Sequence, residues 1–494
     1  MGIKKYKKRI TSLLLLLACN LLIFFTIWLL DRYDRIYIDQ VLFQMKSSSE
    51  GVQGNLALNA VIRIGMFGII TTAVEYWIYR KMPRQGESFN FVRKHTIMFS
   101  ALALVASIII FITQLDVVAY VGLVSTDSTF IEENYVSPYD VKLEFPQKKR
   151  NLIYIYLESM ENTFADTSVG EPIGENFIPE LTKMAEENVN FSHTKELGGA
   201  HSYLGTTWTA AAMATQTSGV PVKVIVTADE DTYGAEEDFL PGVVSLGDVL
   251  EKYGYNQTLL VGSDAEFHGR QPYFIQHGNY NIVDIDSLKA EGRLPEDYHE
   301  WWGFEDQKLF AFAKEEVSKL ASQDAPFNFT MLTCDTHFPD GYVCELCEEQ
   351  YEEQYSNVLA CSSRQVYEFV EWIKEQPFYE NTTIVISGDH LTMDNDFLAD
   401  IDPEYERTIY NCIINAPIEP VNEKNRMFGT MDMFPTTLAA MGVEIEGDSL
   451  GLGTNLFSEK ATLTEVYGFD LLNEEMQKRS EFYNEEILDI EEEE

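Results

Sequence analysis

The hydrophobic pattern divides the chain in two. Three apolar runs, about Ile10 to Leu30, Leu56 to Tyr79 and Thr96 to Val124, have the length of membrane-crossing helices. Lys4, Lys5, Lys7, Lys8 and Arg9 precede the first run, and Arg80, Lys81, Arg84, Arg93 and Lys94 fill the short loop between the second and third. The loop from Asp31 to Asn55 is far less basic. The positive-inside rule therefore puts the N-terminus and the second loop in the cytoplasm, and three crossings put everything after Val124 outside. The first run continues through Phe24, Phe25 and Trp28, as an anchor does and a cleaved signal peptide does not. It also runs past Leu16-Leu17-Ala18-Cys19, which argues against a lipoprotein cleavage box. Asp116, near the outer end of the third run, is expected to reach the interface.

After a polar linker, short apolar runs alternate with amphipathic ones. Strands are predicted at Asn151–Leu157, Gln257–Val261, Asn328–Thr333, Thr382–Ser387 and Tyr410–Ala416, with an extended segment at Val189–His193. Helices are predicted at Pro179–Glu187, Trp208–Thr217, Val244–Tyr253, Gln307–Leu320, Tyr355–Glu375 and Met431–Met441. This alternation predicts an α/β domain with a mostly parallel central sheet covered by helices on both faces. The expected organisation is a membrane anchor over residues 1–125, an extracytoplasmic linker over 126–150, a catalytic domain over 151–460 and an acidic tail over 461–494.

Charge sharpens the division. The formal net charge is −43, and residues before Ser125 carry roughly +7, leaving roughly −50 on the remainder. A domain so acidic does not bind nucleic acid through phosphates and is not drawn to an anionic bilayer. An anionic substrate would need a cation in the site.

In open sheets of this kind ligands bind beyond the carboxyl ends of the strands. Three predicted strands end there in polar residues: Glu158, Asp335 to His337, and Asp389-His390. A lone carboxylate at a strand end is most often simply solvated. Adjacent Asp389 and His390, with Glu158 on another central strand, instead suit one divalent ion that accepts oxygen and nitrogen ligands. Thr206, Thr207 and Thr209 crowd the start of a small-residue helix ending at Gly219. A helix start favours an incoming phosphate. A threonine there could attack phosphorus, although N-capping is the commoner role for such residues.

Leu157-Glu158-Ser159, the threonine-led helix ending in Gly219-Val220-Pro221, and Ser387-Gly388-Asp389-His390 resemble the sulfatase-like alkaline phosphatase superfamily. Within it they resemble the lipoteichoic acid synthases and the phosphoglycerol transferases that decorate periplasmic glucans. Asp335-Thr336-His337-Phe338-Pro339, Asp432 to Leu438 and Gly451 to Phe457 extend the likeness over about Asn151 to Phe457. The resemblance implies a three-layer α/β/α fold. It makes Glu158, Asp389 and His390, with Thr209, ligands of one divalent ion, manganese by analogy with the lipoteichoic acid synthases, with magnesium or zinc as alternatives. It implies a threonine nucleophile, Thr209 by its spacing to Gly219, with Thr206 and Thr207 as alternates. It gives His337, Arg270, Trp208, His201 and His268 to substrate binding. The implied reaction passes phosphoglycerol from a phospholipid donor, phosphatidylglycerol, to an extracytoplasmic glycan or polymer through a phosphothreonine.

Three features depart from the family patterns. The Cys-x-Pro-x-Arg signature of sulfatases is missing at Thr209–Met213, which argues against sulfate ester hydrolysis. Three predicted spans replace the five usual in lipoteichoic acid synthases. The threonine helix is nearer the glucan-modifying branch. The alternatives are phosphoethanolamine transfer or phosphodiester hydrolysis at the same site, or a polymer-binding surface protein without catalysis. Of the six cysteines, Cys344, Cys347 and Cys361 cluster after the His337 motif, and outside the cytoplasm a disulfide among them is expected over a zinc site.

Overall fold

The structure is a computed structural model. It describes residues 2–32, 38, 41–43, 58–81, 87–166, 168, 174–224, 238–394, 396–399, 401–402 and 404–489. Two compact units emerge: 1–41 with 52–122, and 42–51 with 123–494.

In the first unit, Tyr6–Asp31, Leu58–Lys81 and Thr96–Gln114 are long and apolar enough to cross a membrane, and they mark the chain as a membrane protein. Small and polar side chains join these helices where apolar ones would gain nothing over lipid. Ser12 and Ser100 hydroxyls lie 2.6 Å apart, and the Asn20 amide donates to Thr72 Oγ1 and Glu75 Oε2, both at 3.0 Å. Gly68 sits so close to Leu21 that an added Cβ would lie 2.8 Å from a leucine methyl. The third run is shorter than its hydrophobicity predicts. It ends at Gln114, and a separate helix covers Val117–Val124, because Asp116 takes a left-handed φ of 50° between them.

In the second unit six strands form one sheet. They are β1 Asn151–Leu157, β2 Asn256–Val261, β3 Asn281–Val283, β4 Phe327–Leu332, β5 Thr382–Gly388 and β6 Asn411–Ile414. Their order is β3-β2-β4-β1-β5-β6, all parallel except β6, which runs antiparallel to β5. Alternation along the strands feeds two cores. Leu152, Tyr154 and Tyr156 face one, with the helices Thr209–Ser218 and Met433–Ala440. Ile153, Ile155 and Leu157 face the other, with Pro179–Glu187, Asp306–Ala321 and Gln354–Lys374. The central position of β1 and β5 brings the residues after Leu157 and Gly388 together. Gly388 is required there, since a Cβ would lie 2.0 Å from the Met160 carbonyl oxygen.

Three expectations are corrected. The stretch expected as a linker is built into the second unit: Ile131 is buried, Val136 bridges Gly451, and Leu143 pairs with Ile445. Most of the stretch expected as a solvated tail is folded. Helices Leu463–Tyr467 and Phe469–Gln477 and a π-helical turn at Tyr483–Ile487 bury Leu472, Met476, Tyr483 and Ile487 in the first core. Glu491 to Glu494 lie outside the described residues. The third correction concerns the cysteines: all six are free thiols, and no sulfur of the Cys344, Cys347 and Cys361 cluster is bonded to another.

Candidate functional site

The site grows from the ends of β1 and β5. Glu158 follows β1 directly, fully buried, with its backbone N–H on Thr333 Oγ1 at 3.0 Å and its carbonyl receiving the Thr336 hydroxyl at 2.6 Å. Asp389 and His390 follow β5, also buried. Ser159 ties the two strands. Its backbone N–H donates to Asp389 Oδ1 at 2.7 Å and its hydroxyl to Glu158 Oε1 at 2.9 Å, in a left-handed conformation with φ 55°. The His390 backbone N–H adds a second bond to Asp389 Oδ1 at 2.7 Å.

Thr209 enters from the third direction. Its helix starts with Trp208 as the N-cap residue, with no side-chain cap, and ends at Gly219 in the left-handed conformation that glycine adopts freely. Thr209 therefore does not cap the helix. Its hydroxyl lies 3.3 Å from Glu158 Oε2 and 3.4 Å from His390 Nε2. Gln216, one face further along, locks the helix to the sheet. It donates to the Gly388 carbonyl at 3.0 Å and accepts the Tyr154 hydroxyl at 2.8 Å. Thr206 instead closes a local turn on Tyr203, accepting its N–H at 3.0 Å and donating to its carbonyl at 2.9 Å.

The donor set fits a divalent cation. Ligand atoms of Glu158, Asp389 and His390 all lie within 4.8 Å of one another. Asp389 Oδ2 is buried and takes no hydrogen bond. Burial and the Asp389 charge push the Glu158 carboxyl well above the usual carboxylate range, a conflict that a cation between them would relieve. His390 Nδ1 lies 2.8 Å from the Leu391 carbonyl, which assigns the proton to Nδ1 and leaves the Nε2 lone pair facing the carboxylates.

Cationic and aromatic groups stand beside this cluster. The Arg270 guanidinium is buried, held by Ser263 Oγ at 3.0 Å and by the Asp264 and Phe267 carbonyls. It lies over the rings of Trp302 and Phe267 at 5.3 and 5.8 Å. Burial lowers it to about 10, so it stays charged at neutral pH, and its Nη1 makes no hydrogen bond. His337 packs on the same Trp302 ring at 4.2 Å and has Nδ1 2.8 Å from the Phe338 carbonyl. Phe43 joins Trp208 and His268, with ring centroids at 4.8 and 5.3 Å. Burial, then the Arg270 charge, pushes His268 down to about 3 and keeps it neutral.

Thus the structure brings Glu158, Thr209, Asp389 and His390 into one cluster, with Arg270 and His337 sharing Trp302. His201 has other neighbours: Glu406 Oε1 at 3.5 Å and the rings of His193 and Phe469, both at 5.5 Å. Ser159, Gln216, Trp302 and Phe43 escaped the sequence reading. Only Ser159 left a signal, as the residue after the strand-end carboxylate.

A family model described as "Sulfatase" matches residues 150–443, more than half of the chain and all four residues of the central cluster. The chain belongs to the sulfatase family. Among curated relatives, phosphoglycerol transferase I of Salmonella choleraesuis is 30% identical over 330 residues, covering 65% of this chain and 41% of that protein. The Xanthomonas campestris protein of the same name is 31% identical over 332 residues, covering 66% and 45%. The chain thus spans less than half the length of these relatives. An alkaline phosphatase superfamily protein from Vibrio parahaemolyticus has the same fold, with a TM-score of 0.51 at 22% identity over 65% of this chain and 72% of that one. The sulfatase-family fold, expected from the strand-end motifs, is borne out.

Proposed function

We propose that this sulfatase-family protein transfers phosphoglycerol from an anionic phospholipid, phosphatidylglycerol, to a glycan or polymer hydroxyl outside the cytoplasm, through an ester on Thr209. The observation that supports this reading most is the Thr209 hydroxyl, turned away from capping and aimed at Glu158 and His390. The relatives' names point to the transferred group, and the basic N-terminus and second loop point to the orientation.

Glu158, Asp389 and His390 would hold a divalent cation, manganese by preference, with Thr209 beside it. When bound, the cation supplies positive charge to phosphoryl oxygens and lowers the proton affinity of a neighbouring hydroxyl. Thr209 Oγ1 gives up its proton and attacks phosphorus. The bond from phosphorus to the diacylglycerol oxygen breaks, and that oxygen takes a proton as diacylglycerol leaves. In the second step an acceptor hydroxyl loses its proton and attacks the same phosphorus, and Thr209 regains a proton as its ester bond breaks. Arg270 Nη1 donates to the phosphoryl oxygens, and the first N–H groups of the Thr209 helix face the same charge. His337, whose Nδ1 stays on the Phe338 carbonyl, donates to them from Nε2 only as the imidazolium. A buried guanidinium already oriented by three protein acceptors needs no reorganisation as charge develops.

The test uses the full chain in detergent or nanodiscs with manganese and fluorescent phosphatidylglycerol. The expected result is diacylglycerol release, together with a peptide containing Thr209 heavier by one phosphoglyceryl group. Turnover of phosphatidylethanolamine alone would replace the donor. Release without any adduct on Thr209, and unchanged in Thr209→Ala, would overturn the mechanism.

A further inference from the structure

Apart from the catalytic cluster, three thiols converge where no mechanism uses them. Cys344 Sγ lies 3.7 Å from Cys347 Sγ and 3.7 Å from Cys361 Sγ, and all three sulfurs lie within 4.8 Å of one another. Cys344 and Cys347 belong to the long loop after His337, and Cys361 belongs to the helix Gln354–Lys374. We propose that Cys344, Cys347 and Cys361 are a thiolate site for one zinc ion, which clips the loop after His337 to that helix.

The spacing carries the first argument. A tetrahedral zinc with sulfur ligands at about 2.3 Å sets neighbouring sulfurs about 3.8 Å apart. The two separations here match that edge, whereas a disulfide needs sulfurs at about 2.05 Å. A disulfide would also use only two of the three thiols. It would leave the third against the bond, placed to attack it and reshuffle the pair.

The surroundings suit thiolates. Cys344 and Cys347 form a tight turn, with the Cys347 N–H on the Cys344 carbonyl at 3.1 Å. The Gln365 amide nitrogen lies 3.4 Å from Cys361 Sγ and 3.9 Å from Cys344 Sγ, and Arg364 Nη2 lies 3.8 Å from Cys361 Sγ. These are N–H donors aimed at sulfur, the role that supporting groups take around metal-bound thiolates. Binding releases three thiol protons and leaves one net negative charge on the zinc–thiolate unit, which the Arg364 guanidinium offsets. Water or the rotated Gln365 amide oxygen completes the tetrahedron.

The loop has reason to need such a clip. Of residues 341–353 only Gly341 and Cys344 are buried, so apolar burial does little against the entropy of ordering the segment. At its ends the loop is tied by the Tyr342 N–H to the Asp335 carbonyl at 2.7 Å and by the Gln354 amide to the Gly341 carbonyl at 3.0 Å. Between them Asn357 accepts the Gln350 and Tyr351 N–H groups at 2.7 and 2.9 Å and Arg364 donates to the Leu346 carbonyl, and the thiol cluster adds the contact of the loop's buried Cys344 with the helix. The clip would hold the stretch that leaves His337 and shares no ligand with the Glu158, Asp389 and His390 set.

The test measures zinc by elemental analysis in the purified full chain, with Asp389→Asn used to remove binding at the catalytic cluster. About one zinc per chain should remain in Asp389→Asn, and Cys347→Ser or Cys361→Ser added to it should abolish that zinc. Cobalt loaded into Asp389→Asn in place of zinc should show thiolate-to-cobalt charge-transfer absorption, a readout available even where the cysteine variants fold poorly. A chain lighter by two hydrogen atoms, with Cys344 cross-linked to Cys347 or Cys361 and no zinc, would overturn the proposal. So would three free thiols that take up no zinc from solution.

Discussion

The Thr209 hydroxyl faces Glu158 Oε2 at 3.3 Å, while Glu158 Oε1 is taken by Ser159 at 2.9 Å. The two oxygens of one carboxylate thus have separate tasks, one fixed by the scaffold and one turned to the hydroxyl. Thr209→Ala should lower the rate of diacylglycerol release by roughly four orders of magnitude, and Thr209→Ser should restore part of it. Thr206→Ala, which removes only the turn on Tyr203, should keep most of the activity and lose about 1 kcal/mol of stability. Initial rates and denaturant midpoints for the three variants separate the roles.

Glu158 and Asp389 are two buried carboxylates against one another, so the cation-free protein carries their repulsion. Chelation should abolish activity and lower the melting temperature, and manganese should restore both. In Asp389→Asn one of the two charges is gone. Its cation-free form should melt no lower than the cation-free parent, and added manganese should no longer raise it. Thermal unfolding with and without chelator measures both arms.

How much of this was legible in sequence follows from what each residue depends on. Glu158, Asp389 and His390 stood at the ends of runs such as Thr382–Ser387, so a local pattern and a rule about parallel sheets sufficed to converge them. Gln216 and Trp302 act across the fold. Gln216 matters because its helix passes the Gly388 carbonyl, and nothing in Thr215-Gln216-Thr217 announces that. The three-residue strand Asn281–Val283 is too short for alternation to register. The helices after Thr462 were hidden by composition. Glu474, Glu475, Glu481, Glu485 and Glu486 make the segment read as solvated, yet Leu472 just before them and Met476 and Tyr483 between them are buried. The thiol cluster shows the converse: its residues were legible, but three thiols without a bond were not the disulfide their compartment suggested.

Arg270 is positioned as a fork. Ser263, Asp264 and Phe267 hold its Nε and Nη2, and Nη1 is buried without a hydrogen bond. A lysine keeps the charge but loses this geometry and the planar contact with Trp302. Arg270→Lys should therefore raise KM for the lipid by about tenfold or more and lower kcat. Trp302→Leu should do likewise more weakly. A KM-against-kcat comparison at saturating manganese is the measurement.

The loop that leaves His390 rests on a buried ion pair. Arg407 donates to both oxygens of fully buried Glu161, at 3.0 and 2.6 Å, and to the Thr392 carbonyl at 2.7 Å. The Thr392 N–H donates to Glu161 Oε2 at 3.0 Å. Removing one partner strands the other charge in the interior, so Arg407→Ala should cost about 3–5 kcal/mol. Replacing both, as Glu161→Gln with Arg407→Met, should cost less than the sum of the single changes. A double-mutant cycle by chemical denaturation tests the coupling.

Asp306 and Asp335 form a second buried acidic pair, beneath the His337 loop. Asp306 accepts the N–H groups of Cys334 and Asp335, and Asp335 Oδ1 accepts the N–H of Asp306 at 3.1 Å, while Asp335 Oδ2 is buried without a hydrogen bond. Burial pushes Asp306 up to about 7, and burial with the Asp306 charge pushes Asp335 well above the usual carboxylate range. Both groups bind protons more tightly folded than unfolded. Their contribution is therefore fully present below the ordinary aspartate value and is lost as pH rises from about 4 towards 7 and beyond. Asp335→Asn keeps the Oδ1 acceptor and places an amide where the unpaired oxygen stood. It should leave stability near pH 4 almost unchanged, flatten the decline above it, and stabilise the chain at pH 8 by an amount on the order of 2 kcal/mol. Denaturant unfolding of parent and variant across that range is decisive, because a variant that merely weakened the loop would lose stability at both ends of it.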